Sequence, residues 1–406
     1  MLKNVLVMVL AGGEGQRLYP LTKDRAKPAV PFGGIYRIID FTLSNCLNSG
    51  LNKIVLLTQY KSMSLDRHIR LGWWNLFNTE RGDYLEIIPP QMRISHEWYR
   101  GTADAVYQNI YTLELERPEM VLILGGDHIY KMDYRKMVDF HLRKQADATV
   151  SCVDVPASEA HRFGVMEIDD DCRVTGFLEK PSHPGPMPDS PGSVLASMGI
   201  YLFNTETLVK RIMEDTKADS AHDFGRDIIP SLLDRDRVYA YRFEDENKSP
   251  IRYWRDIGTL DAYWEANMDL VSTNPVFNLY DTYWPIRTYR EQFPPAKTVF
   301  AVGGGRMGEV SNSLLSAGCI ISGARVANSV LSPDVRIEVD SSVSDSVIME
   351  GVRIGRGVEI RRAIIDKGVN VPDGMAIGHD HEEDRRHFTV TDKGVVVVPK
   401  QMPMIS

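Results

Sequence analysis

Over about the first 270 residues, apolar positions come in short, nearly unbroken runs: Val5–Leu10, Lys53–Thr58, Met120–Leu124, Ala148–Val153, Gly199–Phe203 and Val238–Arg242. Runs of that length bounded by turn residues predict strands, and the lack of polar alternation predicts strands covered on both faces. Helical patterns lie between several of them, as over Asp133–Gln145 and Leu260–Val271. Strand and helix alternating in this way predict an α/β fold, a Rossmann-like, mostly parallel open sheet with helices on both faces. Ligands of such sheets bind outside the carboxyl ends of the strands. Glycines and charges immediately after each run are therefore the residues to weigh.

The pattern dissolves over residues 274–295, NPVFNLYDTYWPIRTYREQFPP, an aromatic and proline-rich connection. Beyond it aliphatic residues recur every six: Ile337, Val343, Met349; Val352, Val358, Ile364; Ile354, Ile360; Val369, Met375; Val371, Ile377. No helix has that period, and a hairpin sheet would alternate by two. Hexapeptide steps predict a parallel β-helix whose coils stack to bury their inner faces, with an irregular β sandwich as the alternative. The expected division is a first domain over 1–273, a linker over 274–295 and the β-helix over 296–406. The proline-rich stretch Pro181–Pro191 reads as a stiff surface excursion.

With 406 residues the chain has material for two or three domains. A net charge of -8 argues against a general nucleic-acid binder or an anionic-membrane binder, so any phosphate affinity must be local. Four scattered cysteines, Cys46, Cys152, Cys172 and Cys319, form no C-x-x-C pair and fit a reducing compartment. The apolar stretch Val5–Ala11 leads straight into glycines and reads as a buried strand rather than a signal sequence. No segment approaches the ~20 apolar residues of a membrane span. A soluble, cytoplasmic protein is the expectation.

One local cluster answers the charge argument. In LAGGEGQRL the glycines Gly12, Gly13 and Gly15 directly follow the first strand, and Arg17, Lys23, Arg25 and Lys27 come within a dozen residues. Glycine brings backbone N–H groups close to a ligand, and the cations supply countercharge, so the stretch predicts phosphate binding. The spacing is neither the dinucleotide fingerprint nor the P-loop. Asp127 follows the strand of MVLILGGDHIY, and Asp256 precedes a glycine in YWRDIGT. Each alone reads as a cap or turn residue; together, beside a phosphate cradle, they suggest a shared magnesium ion. Glu179 and Lys180 end a strand in GFLEKP, where a solvated lysine is the plainer reading; His222 in HDFGRDIIP reads as structural.

These segments, in this order, resemble those of bacterial glucose-1-phosphate adenylyltransferases, the ADP-glucose pyrophosphorylases. RAKPAVPFGGIYRIIDFTLSN, WYRGTADAVYQN, GGDHIYKMDY, FLEKP, ASMGIYLF, HDFGRDIIP, YWRDIGTLDAYWEAN and WPIRTY all take part, over essentially the whole chain. The resemblance implies a nucleotidyltransferase domain followed by a left-handed parallel β-helix. It also implies synthesis of ADP-glucose and pyrophosphate from ATP and α-D-glucose 1-phosphate with Mg2+, for glycogen synthesis, by an allosteric homotetramer. By matching motif, Gly12, Gly13 and Gly15 would cradle the nucleotide, and Arg17 and Lys27 would grip its phosphates. Asp127 and Asp256 would hold the metal, with Asp127 also catalytic. Tyr99, Gly164, Glu179, Lys180 and Ser197 would line the sugar-phosphate side.

There are departures. Asp24 and Ile35 stand where parts of the family carry basic residues that bind activators. Strongly anionic effectors such as fructose 1,6-bisphosphate are thereby disfavoured. Phosphorylated or carboxylate effectors could still meet Arg361, Arg362, Arg385 and Arg386, for which a solvated face is the equal alternative. Met92 occupies the place of an expected base-reading glutamine, leaving Gln91 as substitute. Three rival readings are a UDP- or dTDP-sugar nucleotidyltransferase, a non-catalytic regulatory subunit and a β-helix acyltransferase.

Overall fold

Alternate side chains of the first strand enter two different cores, which is why its sequence shows no alternation. In β1 (Val5–Ala11), Val5, Val7 and Val9 pack with Ile39, Leu43 and Cys46. Leu6 and Met8 pack on the other face with Val106 and Leu113. The computed structural model describes residues 2–91, 98–181, 192–301 and 305–400. The remaining strands of this sheet are β2 (Lys53–Thr58), β3 (Tyr84–Ile88), β4 (Met120–Gly125), β5 (Ala148–Pro156), β6 (Gly164–Ile168), β7 (Val174–Glu179), β8 (Ser193–Asn204) and β9 (Val238–Arg242).

Their spatial order is β7-β6-β8-β4-β1-β2-β3, with β5 also pairing β8 and β9 pairing β5. β1 runs parallel to β2 and β4, β2 to β3, and β5 to β9. Only β8 and β7 run against the others. The sheet is thus mostly parallel, as its sequence pattern predicts. Strands β3, β6 and β7 carry half-exposed residues and interrupting glycines or glutamates, so they lack the unbroken apolar signal. The run Gly199–Phe203 is the second half of the longer β8, whose pairing shifts register between Ser197 and Tyr201.

Helix α1 (Ile38–Asn48) carries the buried Asp40, whose carboxylate accepts from the Arg37 N–H at 2.8 Å and Trp73 Nε1 at 2.9 Å. Helix α2 (Tyr134–Arg143) starts at Asp133, whose side chain accepts from the Arg135 N–H. Helix α3 (Leu260–Val271) is capped by Thr259 in the same way.

From Lys297 onward the chain winds through three sheets, parallel except for a closing antiparallel pair of Thr389–Val390 with Val396–Val398. Val330 pairs Val347 and Val347 pairs Ile364, one coil of seventeen residues each time. All pairings between coils are parallel, which a hairpin sandwich would not give. Six-residue faces stacked in three sheets are the architecture of the left-handed β-helix. Ile337, Val343, Ile354, Ile360 and Ile377 fill its interior. Met349 and Ile364 do not: they point outward and pack with Tyr263 and Ala266 of the first domain and Phe277 of the linker. That wall is apolar on both sides because the first domain covers it.

Residues 274–295 contain no helix or strand, yet they are not loosely held. Phe277 is fully buried, Trp284 Nε1 donates to Asn45 Oδ1 at 2.9 Å, and Lys131 Nζ donates to the Asn278 carbonyl at 2.6 Å. Across the domain interface Arg25 donates to both oxygens of Asp366 at 2.7 and 2.8 Å. The four cysteines are free thiols.

Candidate active site

The carboxyl ends of β1, β2 and β4 open into a cleft of about 600 Å³. Gly12 and Gly13 line it directly after β1, with Arg17 and Lys27 from the same loop. A smaller adjoining hollow of about 390 Å³ shares Gly13, Arg17, Lys27 and Asp127 and adds Gly15. Gly15 has φ +64°, the left-handed region that a β-carbon disfavours. Its carbonyl accepts from Thr22 Oγ1 at 2.9 Å, so the turn that exposes the loop backbone is fixed.

Two aspartates distant in sequence meet through a short ribbon. Trp254–Asp256 pairs antiparallel with His128–Tyr130, and Asp256 lies opposite His128. That register sets Asp256 beside Asp127, which leaves β4 after Gly126, itself bonded to the Leu10 carbonyl. Lys27 Nζ joins them, 2.6 Å from Asp127 Oδ2 and 3.3 Å from Asp256 Oδ1. Burial works against the Lys27 ammonium, but the two carboxylates outweigh it and raise its pKa above the ordinary lysine value. Burial likewise opposes the Asp127 charge, and Lys27 with His128 overcomes it, holding that carboxyl well below the usual range. Both groups are therefore charged at neutral pH. His128 Nε2 lies 3.5 Å from Asp127 and 3.8 Å from Asp256. Among the described residues, Asp127, His128 and Asp256 are the one group of metal-ligating type whose donor atoms lie within 4.8 Å of one another.

Glu179 and Lys180, with Gly164, Tyr99 and Ser197, line the same cleft. Glu179 pairs with Gly164 across β7 and β6, and its carboxylate nests between two glycines. A β-carbon at Gly164 or at Gly225 would stand 2.9 Å from Glu179 Oε2, closer than packed atoms come. Lys180 Nζ lies 2.9 Å from Glu179 Oε1, and its side chain is 61% exposed, free to turn toward a ligand. The Tyr99 hydroxyl accepts from Asn109 Nδ2 at 2.9 Å; Ser197 sits at the register shift of β8 and accepts from the Gly199 N–H.

Other candidate residues lie away from the cleft. The basic cluster after the glycines splits: Lys23 lines neither hollow, and Arg25 is turned away into its buried pair with Asp366. Gln91 does not line the cleft either; it is exposed and donates to the nearby Pro89 carbonyl. Met92 and residues 182–191 of the proline-rich loop lie outside the described residues. Arg385 and Arg386 pair with Glu382 and Glu383 on an exposed helix, and Arg362 stacks on Trp264 at 4.2 Å.

The structure also adds cleft residues that the sequence reading passed over: Gln59, Tyr60, His128, Asp223 and Trp254. Gln59 and Tyr60 follow β2, the same post-strand position that exposed the glycines, and could have been found by that rule. Asp223 accepts from the Gly225 and Arg226 N–H groups and from Thr102 Oγ1, while neighbouring His222 is buried against Asp215 at 2.7 Å, a structural role.

Comparison with known proteins agrees with this geometry. The nucleotidyl transferase family matches residues 6–273, and the GlmU-like C-terminal hexapeptide family matches residues 294–398. A glucose-1-phosphate adenylyltransferase of Koribacter versatilis (strain Ellin345) is 54% identical over 399 residues, covering 98% of this chain and 95% of the relative. One from Rhodopirellula baltica is 54% identical over 404 residues, 98% of this chain and 91% of its own length. One from Nitrosomonas europaea is 49% identical over 406 residues, at 98% and 93%. With a nucleotidyl transferase domain, a hexapeptide β-helix and near-full-length identity of this order, the chain belongs to the glucose-1-phosphate adenylyltransferase family.

Proposed function

We propose that the enzyme transfers the adenylyl group of ATP to α-D-glucose 1-phosphate, releasing ADP-glucose and pyrophosphate for glycogen synthesis. The observation that carries this reading is one cleft lined both by a glycine loop with Lys27 and Arg17 and by Glu179 with Lys180. A phosphate oxygen of the sugar attacks the α-phosphorus in line, the bond to the β-phosphate breaks, and pyrophosphate leaves. The attacking oxygen is already ionised, so no general base is needed, and positioning with charge stabilisation carries the rate.

In this reading Lys27 and Arg17 bind the nucleotide phosphates and stabilise charge on the departing pyrophosphate. The convergence of Asp127 and Asp256 suits Mg2+, a hard cation that takes one or two carboxylates plus substrate phosphates. Bound there, it would neutralise phosphate charge. Gly12, Gly13 and Gly15 present backbone to the phosphates, while Tyr99, Gly164, Glu179, Lys180 and Ser197 orient glucose 1-phosphate. No described helix is long and apolar enough to cross a membrane. We take the working form to be a cytoplasmic homotetramer under small-molecule control.

Two substitutions test the sugar side. Lys180→Ala should raise the KM for glucose 1-phosphate about tenfold or more with a smaller change in kcat, the worth of one charge-assisted hydrogen bond. Steady-state kinetics with each substrate varied would show it, and an unchanged sugar-phosphate KM counts against the assignment. Gly225→Ala, whose β-carbon would meet Glu179 Oε2 before any other atom, should raise the same KM and spare the KM for ATP; equal effects on both would mean a general loss of cleft shape. Incubation with ATP labelled at the α-phosphorus tests the reaction itself. Label should pass into ADP-glucose, and label left in ADP would contradict adenylyl transfer.

A further inference from the structure

One oxygen of each carboxylate read as a metal ligand is already engaged by the same ammonium. Asp127 Oδ2 and Asp256 Oδ1 both accept from Lys27 Nζ, at 2.6 and 3.3 Å. The His128 imidazole stands beside both, 3.8 Å from Asp256 Oδ1. Asp127 Oδ1 lies 3.5 Å from His128 Nε2. Two negative charges thus share one ammonium, with an imidazole beside them.

We propose that in the nucleotide-free enzyme Lys27 holds the Asp127–Asp256 pair in place of a divalent cation, and yields it when a polyphosphate arrives to take the ammonium. This inference rests on the reading of those aspartates as metal ligands. A dication between the same oxygens would touch an ammonium, so the two exclude each other unless Lys27 finds another anion. The Lys27 backbone is pinned: the Ala29 N–H donates to the Ala26 carbonyl and the Ala26 N–H to the Lys61 carbonyl. Its four-carbon side chain is not, and a lysine point charge can be handed from carboxylate to phosphate by rotation alone. The same lysine lines both the large cleft and the adjoining hollow by the glycine loop, so both positions are within its reach. Metal and nucleotide then bind together, and metal alone binds poorly.

The test is Mn2+ binding without nucleotide, read from loss of the free-ion electron paramagnetic resonance signal. Lys27→Met and Lys27→Gln, checked for fold by circular dichroism, should each bind Mn2+ about tenfold or more tighter than the wild type, because a repelling charge a few ångströms away is gone. Adding Asp127→Asn to either should abolish the gain. Binding no tighter than wild type, or a gain that survives Asp127→Asn, overturns the proposal. Should neither lysine variant fold, the wild type decides. Micromolar Mn2+ binding without nucleotide that Asp127→Asn removes overturns the proposal, and its absence supports it. Sugar-nucleotide synthesis by the same wild-type preparation is scored separately, so failure of the counter-ion role and failure of adenylyl transfer remain distinguishable.

Discussion

Asp127→Asn is expected to lower kcat by about 10²-fold or more, the size of effect seen when one preorganised charge contact to a transition state is lost. The replacement keeps the shape of the side chain and removes its charge. Asp127 carries that charge in the native cleft because Lys27 and His128 overcome the cost of burial, so the loss is electrostatic rather than steric. The fold should persist, since Lys27 retains Asp256 at 3.3 Å. Steady-state pyrophosphate release with a circular dichroism melt as control would show both, and near-normal turnover would remove Asp127 from the chemistry. The sign of the pKa shift adds a pH expectation. A depressed carboxyl keeps its stabilising charge above its ordinary pKa of about 3.9 and loses it only as pH falls through the lower folded value. Any loss of activity between neutrality and that range must then come from another group.

Asp366→Ala is expected to have the largest effect on stability. The Arg25 and Asp366 side chains are 7% and 2% exposed, and the pair clamps the loop after the glycines to the β-helix. Removing one partner leaves a guanidinium buried without its countercharge, which costs about 3–5 kcal/mol, whereas replacing both by apolar residues is often neutral. Asp366→Ala should melt well below the wild type, and Arg25→Met combined with Asp366→Leu should regain most of the difference. A single variant that melts like the wild type would show that the clamp contributes little.

What was legible in the chain follows from what one-dimensional periodicity can carry. Val5–Leu10 announced a strand buried on both faces because both of its faces enter cores. The six-residue steps announced stacked coils because every coil repeats the same inward position. Period alone does not say on which side of the wall a residue lies, so Met349 and Ile364 read as interior although they face the first domain. Charge is equally blind to direction: Arg25 sits two residues from Lys27, yet one meets the β-helix and the other the cleft. The convergence of Asp127 with Asp256 depends on a ribbon of three residues a side, too short to leave a pattern. Their placement beside a phosphate cradle suggests a shared metal and the motif resemblance implies it, but periodicity does neither. Nearness to a motif points to Gln91 as a base reader, while Gln59, at a strand's carboxyl end, is the glutamine that lines the cleft.

The most direct test of adenylyl transfer is pyrophosphate release from the purified enzyme with Mg2+, glucose 1-phosphate and ATP, UTP or dTTP in parallel. Each reaction would be run with and without fructose 6-phosphate, fructose 1,6-bisphosphate, pyruvate and AMP. Release that requires glucose 1-phosphate and is fastest with ATP is the expected result. Faster release with UTP or dTTP would keep the fold and the cleft chemistry but contradict ADP-glucose synthesis, and silence with every nucleotide and effector from folded enzyme would contradict catalysis altogether.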